Sequence, residues 1–239
     1  MKISDIANHG GARVKAVGLR KSYGRFSLEV DKLELSSGQI YGLIGPNGCG
    51  KSTTAKLLAG LIPADAGEIA YNGLCARNIT LIPQKPYLMR DTVMANLTYP
   101  LKIRKIKPDM DTLEYFLGLA GLQDLKNAYA PGLSGGERQK LAFIRAMVFS
   151  PKVIFVDETF SNMDMESQGR FEEHVVNTQK KSPITWVIIS HQLSVIKRVC
   201  NYVFFMDNGK IVEEGETTVL LTTLKSPSLI RFLNFTNGL

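Results

Sequence analysis

The sequence has few cysteines, and they lie far apart along the chain. The three cysteines among its 239 residues are Cys49, Cys75 and Cys200. They form neither the C-x-x-C pair of a zinc site nor an even, closely spaced set. The sequence therefore predicts no disulfide framework, and a reducing cytosol is the simplest setting for the chain.

Long hydrophobic runs are also missing. A helix needs about 20 consecutive apolar residues to cross a bilayer, and the best runs, such as residues 184–189, have the length of a strand. Residues 1–11 carry Asp5, Asn8 and His9 and no apolar segment, so no signal peptide is predicted. We expect a soluble chain that depends on another polypeptide if it acts at a membrane.

The composition excludes further classes of protein. Hydrophobic residues make up 44% of the chain and charged residues 21%, which supports a packed core and excludes intrinsic disorder. The 21 glycines and 10 prolines are ordinary, so a collagen-like chain is excluded as well. The 29 Lys and Arg against 22 Asp and Glu leave a net charge of +7. This surplus suits nucleic acid, an anionic membrane or phosphorylated ligands without choosing among them.

The hydrophobic pattern changes along the chain. Residues 13–35 alternate between apolar and polar side chains, which predicts antiparallel strands with one wet face. Short, nearly continuous apolar runs follow, as is typical of parallel strands buried on both faces. We therefore predict an α/β fold with a parallel-sheet core and an N-terminal antiparallel β subdomain. The apolar runs are residues 40–44, 153–156 and 185–189, and helical patterns cover 51–61, 111–119, 136–149 and 166–179.

Between residues 85 and 131 no buried strand is predicted, and helical segments around 93–99 and 110–122 indicate an inserted helical subdomain. Asn208-Gly209 predicts a type I′ hairpin, and the residues after 217 suffice for one or two helices. The predicted parts are a flexible N-terminus of residues 1–12, a core of residues 13–84 and 135–239, and a helical subdomain of residues 85–134.

Residues 45–52 carry the strongest motif. Their sequence, Gly-Pro-Asn-Gly-Cys-Gly-Lys-Ser, fits the P-loop pattern G-x-x-x-x-G-K-[ST] between an apolar strand and a helix. The glycines let backbone N–H groups converge on a phosphate, Lys51 can reach the β- and γ-phosphates, and the Ser52 hydroxyl suits Mg²⁺. A chance match in this length has odds of about one in a hundred. The predicted nucleotide-binding residues are Gly45, Pro46, Asn47, Gly48, Cys49, Gly50, Lys51, Ser52 and Thr53.

Two carboxylates, Asp157 and Glu158, end the apolar run 153–156. Ligands of α/β sheets bind beyond the carboxyl ends of the strands. Asp157 is therefore predicted to hold Mg²⁺ or its water shell, and Glu158 to polarise the attacking water. The alternative is a solvated acidic strand end, which the nearby P-loop makes the weaker interpretation.

A second glycine-rich motif opens the helical pattern at 136–149. Leu133-Ser134-Gly135-Gly136-Glu137 places a serine and two glycines at a helix N-terminus, a second anion site. Here the chain resembles the ATP-binding cassette (ABC) ATPases, whose signature is L-S-G-G followed by a polar residue. The resemblance implies a head-to-tail pair in which the signature of one cassette contacts the γ-phosphate held by the other. A capped helix after a glycine-rich turn would be the better interpretation if the motif stood alone.

Four single residues extend the resemblance over residues 14 to about 215. Tyr23 matches the aromatic residue that stacks on adenine, and Gln84 the Q-loop amide near Mg²⁺ and the attacking water. Asp164 matches the D-loop at the dimer seam, and His191 the switch histidine that reaches the γ-phosphate. Taken alone, such a tyrosine or histidine is more often structural. The departures are Thr159-Phe160 for the usual Pro-Thr, Asn162-Met163 for the common Ala-Leu, and Lys140 where Arg is frequent.

The resemblance implies an ATPase that binds ATP and Mg²⁺, works as a homodimer or with a paired second cassette, and drives transmembrane permease subunits from the cytoplasmic face of the membrane. It implies no nucleic-acid partner. Residues 90–102 are similar to the helical inserts of oxyanion importers, such as those for phosphate or tungstate, and importers of this kind also use an extracytoplasmic substrate-binding protein. The alternative is a soluble, non-transport ABC ATPase such as the iron–sulfur cluster assembly ATPase.

Two further features carry weaker hypotheses. Cys49 precedes a helix N-terminus, which lowers thiol pKa values and would make it reactive, although a small residue at a permissive position is the commoner case. The basic run at residues 102–107 would face an anionic lipid surface, with an ordinary solvated face as the alternative.

Overall fold

The computed structural model describes residues 13–181, 183–223 and 226–236. The predicted flexible residues 1–12 lie outside these ranges. The described residues form nine strands and eight α-helices. The strands are β1 (Arg13–Tyr23), β2 (Phe26–Leu35), β3 (Ile40–Ile44), β4 (Ala66–Asn72), β5 (Ile79–Ile82), β6 (Val153–Asp157), β7 (Thr185–Ile189), β8 (Tyr202–Asp207) and β9 (Lys210–Glu216). The helices are α1 (Lys51–Leu58), α2 (Val93–Arg104), α3 (Met110–Ala120), α4 (Gly135–Met147), α5 (Met165–Lys181), α6 (Leu193–Val199), α7 (Thr217–Leu220) and α8 (Pro227–Thr236).

All nine strands join one sheet in the order β4-β1-β2-β9-β8-β3-β7-β6-β5. The strands β4, β1 and β2 pair antiparallel, whereas β8, β3, β7, β6 and β5 pair parallel. The two parts meet through a parallel pairing of β2 with β9 at Glu29 and Lys210. The predicted antiparallel N-terminal strands and parallel core are therefore both present, and they are continuous with each other.

The parallel core strands β3, β6 and β7 are buried along their whole length, as their apolar runs predict. In register, Leu43 of β3 and Asp157 of β6 both pair with Ile189 of β7. The carboxyl ends of these three strands therefore lie side by side. Any side chains that follow them meet at one edge of the sheet.

Helices α2 and α3 pack against α4. Their buried residues Val93, Leu97, Leu113 and Leu117 share one hydrophobic cluster with α4 and with the core strands. The division of the chain into a core and a helical subdomain at residues 85–134 stays a prediction. Within the described ranges, no helix has both the length and the apolar character that a bilayer crossing needs.

The predicted hairpin at Asn208-Gly209 joins β8 to β9. Asn208 has φ 45° and Gly209 has φ 79°, so both turn residues adopt the positive φ that a type I′ turn needs. The hairpin is therefore as predicted. A Cβ on Gly209 would lie 2.1 Å from the carbonyl oxygen of Ser27, so only glycine fits there.

Candidate active site

The loop between β3 and α1 needs glycine for its shape. Gly45 has φ 147°, and a Cβ there would lie 2.0 Å from the carbonyl oxygen of Met206. Gly50 has φ 110°, and its Cβ would lie 2.9 Å from Leu28 and 3.0 Å from Phe26. Because Gly50 is the N-cap of α1, no side chain caps the helix, and its first turn holds no acidic residue. The N–H groups at this N-terminus are therefore free to bind an anion.

Lys51 is held inside the same loop. Its side chain is 5% exposed, and Nζ donates to the carbonyl oxygens of Gly45 and Pro46, both at 2.8 Å. Both carbonyl groups are uncharged and the third neighbour of Nζ is the thiol of Cys49 at 3.9 Å, so none of these partners is a carboxylate that would pair with the charge of the side chain. Together with the free N–H groups of α1, this charge fits a phosphate group.

Asp157 ends β6 beside this loop and is 5% exposed. Burial raises the pKa of its carboxyl group, and a hydrogen bond from Ser52 opposes that rise. A hydroxyl and a carboxylate are oxygen donors of the kind that Mg²⁺ prefers. Among the residues that the structure describes, no group of three or more His, Cys, Asp or Glu could hold a metal by itself. This donor pair fits a Mg²⁺ ion that takes its other ligands from phosphate and water.

Three predicted catalytic residues, Gln84, Glu158 and His191, converge from the ends of β5, β6 and β7. The amide Nε2 of Gln84 donates to Oε2 of Glu158 at 2.7 Å, and Nδ1 of His191 lies 3.6 Å from Oε1 of Glu158. Glu158 adopts φ 49°, an uncommon backbone conformation that functional sites often retain. Its N–H is held by the carbonyl oxygen of Ile189 at 3.0 Å.

Two cavities meet at Glu158 and Asn47. The first, called here the phosphate cavity, has a volume of about 430 Å³. It is lined by Phe26, Asn47, Gly48, Gly50, Lys51, Ser52, Thr53, Gln84 and Glu158. The second, called here the distal cavity, has a volume of about 840 Å³. Its lining comprises Gly45, Pro46, Asn47, Glu158, His191, Asp207, Asn208, Ser228, Arg231, Phe232 and Phe235.

The glycine-rich motif caps α4 and lies outside both cavities. Oγ of Ser134 accepts from the N–H of Glu137 at 3.3 Å, and the Glu137 carboxylate accepts from the N–H of Ser134 at 2.7 Å. Hydrogen bonds from the side chain and the backbone N–H of Ser134 to the Glu137 carboxylate lower the pKa of Glu137. Ser134 and Gly135 are exposed, and Gly136 is half-buried. The structure therefore does not bring this motif to the P-loop of the same chain.

Asp164 is placed at the start of α5 and is also exposed. It accepts from the N–H of Ser167 at 2.7 Å and from its hydroxyl at 2.8 Å, which lowers the pKa of Asp164 to about 2. Lys140 lies 3.4 Å away. Lys140, which stands where the resembling family often has arginine, therefore forms an ion pair with the carboxylate of Asp164.

Tyr23 ends β1, is 50% exposed and does not line the phosphate cavity. Nζ of Lys21 lies 5.6 Å from the centre of its ring. Phe26 pairs with Tyr23 across the β1–β2 turn and does line the phosphate cavity. Phe26 is a site residue that the sequence motifs missed. The signal available was an aromatic residue three positions after Tyr23.

Cys49 is 4% exposed within the P-loop. Burial raises the pKa of its thiol, although the nearby charge of Lys51 opposes the rise. The hypothesis of a reactive Cys49 thiolate is therefore not supported, because burial outweighs the helix N-terminus. A small buried residue at this position is the interpretation that fits.

Comparison with known proteins decides the family. Residues 28–161 match the family described as ABC transporter. The chain belongs to the ABC transporter family. Two curated relatives of this ABC ATPase are importer subunits. The tungstate uptake system ATP-binding protein TupC of Peptoclostridium acidaminophilum is 33% identical over 84% of this chain and 97% of its own length. The methionine import ATP-binding protein MetN 1 of Listeria monocytogenes serotype 4b (strain F2365) is 31% identical over 97% of this chain and 70% of its own length.

Solved structures share the fold of this ABC ATPase. A dimeric ATP-binding cassette bound to ADP and Pi in a post-hydrolysis state has a TM-score of 0.76 at 23% identity, covering 85% of this chain and 98% of that chain. The resemblance to ABC ATPases and the α/β fold class are thereby confirmed. The chain is an ATP-binding subunit of a transporter and an ATPase whose activity is coupled to transport.

Proposed function

We propose that this ABC ATPase hydrolyses MgATP as one of a pair of cassettes and powers an importer through a separate membrane permease. The observation that carries the proposal is that Gln84 and His191 both meet Glu158, and that Glu158 and Gln84 line the phosphate cavity together with the P-loop. This places a general base and two polar groups next to a buried cation and a free helix N-terminus. These are the parts that phosphoryl transfer to water requires.

Each residue of the site is assigned a separate role in the reaction. Lys51 and the N–H groups of α1 bind the phosphates, and Ser52 and Asp157 would hold Mg²⁺, with Gln84 as a further candidate ligand. When bound, Mg²⁺ neutralises charge on the phosphate oxygens. Gln84 occupies Oε2 of Glu158, which leaves Oε1, on the side of His191, to accept a proton from the attacking water. The bond between the γ-phosphorus and the bridging oxygen breaks, ADP keeps that oxygen, and phosphate gains the water oxygen.

The exposed residues of the signature motif support the paired arrangement. Ser134, Gly135, Gly136 and Glu137 form a helix cap that lies outside the phosphate cavity of its own chain. In a head-to-tail pair with twofold symmetry, the cap of each cassette reaches the triphosphate of the other. Asp164 and the residues around it would lie at the seam between them. A second copy of this chain or a paired second cassette would complete the two sites.

The relatives support import. TupC, of which this chain spans 97%, favours an oxyanion such as tungstate as the transported substrate. The MetN 1 protein favours methionine, and this chain spans 70% of its length. Uptake and import in these names favour transport over the soluble cluster-assembly alternative. The partners are then permease subunits, with the ATPase bound at the cytoplasmic face of the membrane, and a substrate-binding protein outside it.

Glu158→Gln tests this proposal with two readouts. Removing the general base lowers the hydrolysis rate by about 10²- to 10⁴-fold, whereas ATP binding persists because Lys51 and α1 are untouched. The hydrolysis rate and the affinity for ATP are measured on the purified chain, and tungstate accumulation is measured in cells. The control is Glu173→Gln, an exposed glutamate on α5. Hydrolysis within twofold of the control would contradict the catalytic assignment. Lost hydrolysis with unchanged tungstate accumulation would contradict tungstate as the substrate.

A further inference from the structure

The C-terminal helix α8 presents one face to the distal cavity. Leu229 and Leu233 are buried and fix the helix to the core, and the ring of Phe232 lies 5.5 Å from that of Phe205. The cavity face follows helical spacing i, i+3, i+4 and i+7. It consists of Ser228, Arg231, Phe232 and Phe235. No sequence motif assigns a role to this face.

The distal cavity is continuous with the catalytic groups. Glu158 and His191 line it together with Arg231, and Asn47 and Glu158 border the phosphate cavity as well. During hydrolysis the γ-phosphoryl group moves away from ADP and towards the attacking water. Oε1 of Glu158, the proposed proton acceptor, lies on the side of His191, and of the two cavities His191 lines only the distal one, so the phosphoryl group and its negative charge would move towards the distal cavity.

Arg231 is the only lysine or arginine among the described residues that line the distal cavity. Its guanidinium has no hydrogen bond and no ion pair with any other residue of the described ranges, and the side chain is exposed. Glu158 and Asp207 supply negative charge to the same lining, which would repel a phosphate group. A planar guanidinium is the side chain best suited to bind phosphate oxygens, and it stays charged at any working pH.

We propose that Arg231 is a further catalytic residue, which binds the γ-phosphoryl group as it passes from ADP to water. The proposal rests on the assignment of Glu158 as the base. In this step Oε1 of Glu158 takes a proton from water, the water oxygen bonds to phosphorus, and the bridging oxygen leaves with ADP. Arg231 balances the charge of the phosphoryl oxygens and gains or loses no proton.

The test compares Arg231→Gln and Arg231→Lys with Asn234→Ala in the full-length chain. Asn234 is exposed on the same helix and does not line the cavity, so its variant controls for changes in α8. Arg231→Gln is expected to lower kcat about tenfold, because one charge-assisted contact in the transition state is lost. The KM for ATP changes less than twofold, since ground-state binding belongs to Lys51 and α1. Arg231→Lys recovers part of kcat.

Inhibition by orthovanadate, which mimics the transferring phosphoryl group, distinguishes a catalytic role of Arg231 from a purely structural one. Arg231→Gln is expected to raise the half-inhibitory vanadate concentration about tenfold, with thermal unfolding matching that of Asn234→Ala. A kcat and a vanadate response within twofold of the control would overturn the role of Arg231.

Glu158→Gln separates the two proposals. If it abolishes hydrolysis while Arg231→Gln does not lower it, only the Arg231 proposal fails. If it hydrolyses ATP normally, the proposed function fails.

Discussion

Burial determines the electrostatic environment of individual residues in the site. Lys51 and Asp157 are each 5% exposed, one inside the P-loop and one at the end of a core strand. The motif spacing predicts both residues, because their roles require fixed positions along the chain. Their burial, and the raised pKa of Asp157, arise from the packing of several strands and have no counterpart in the sequence pattern.

His174 gives a test of burial at this scale. It lies on α5 where this helix packs against α3, and it is 8% exposed. Its Nδ1 lies 3.0 Å from the hydroxyl of Tyr115, and burial lowers its pKa from 6.5 to about 4. The unfolded chain therefore binds the proton first as the pH falls. The free energy of unfolding that His174 contributes is complete above pH 6.5 and is lost between pH 6.5 and pH 4.

Between pH 7.5 and pH 5 the wild-type chain is expected to lose about 2 kcal/mol more of its free energy of unfolding than His174→Gln does. Urea unfolding of both proteins at the two pH values measures this difference. The comparison of two pH values removes any constant effect of the substitution. Equal losses in the two proteins would mean that His174 titrates normally in the folded chain.

At the scale of secondary structure elements, local signals predict the core strands, the hairpin and most long helices. The sequence patterns did not predict strands β4 and β5, because β4 is largely exposed and β5 has only four residues. Each is fixed by pairing with a distant strand, β1 or β6. Helix α2 extends to Arg104, beyond the predicted end at residue 99, although Pro100 lies inside it. Its buried face, with Leu97 and Leu101, packs in the cluster that includes α4 and holds the helix together past the proline.

The N-cap of α4 has two roles that can be separated. Ser134 caps this helix, as Thr92 caps α2 by accepting from the N–H of Ala95 at 3.1 Å. Replacing either residue by alanine is expected to lower the free energy of unfolding by about 1 kcal/mol. Urea unfolding and ATP hydrolysis are measured on both variants. Only Ser134→Ala should also slow hydrolysis. If both variants slow it equally, the effect of Ser134 is one of stability alone.

At the scale of the whole molecule, the site predicted from sequence is assembled in one chain only in part. The P-loop, Gln84, Glu158 and His191 come together, whereas Ser134 and Asp164 face outwards. Two contributors, Phe26 and Arg231, carry no motif, because a β-turn and a C-terminal helix bring them to the cavities from distant parts of the chain. The family motifs predict the residues of the P-loop, Gln84, Glu158 and His191, whereas only the packing of this chain shows that Phe26 and Arg231 line the cavities.

The central claim is that each site is formed by two cassettes, and mixing two inactive variants tests it most directly. Lys51→Ala removes the positive charge that binds the phosphates, and Gly135→Asp adds a negative charge to the signature cap. A Cβ at Gly135 meets no atom within 4 Å, so the second variant is expected to fold normally.

Each variant alone should be inactive in hydrolysis. In an equal mixture, half of the pairs combine one Lys51→Ala chain with one Gly135→Asp chain and so contain one intact site. The mixture is therefore expected to recover roughly a quarter of the wild-type rate of ATP hydrolysis. A mixture as inactive as its separate components would contradict the account.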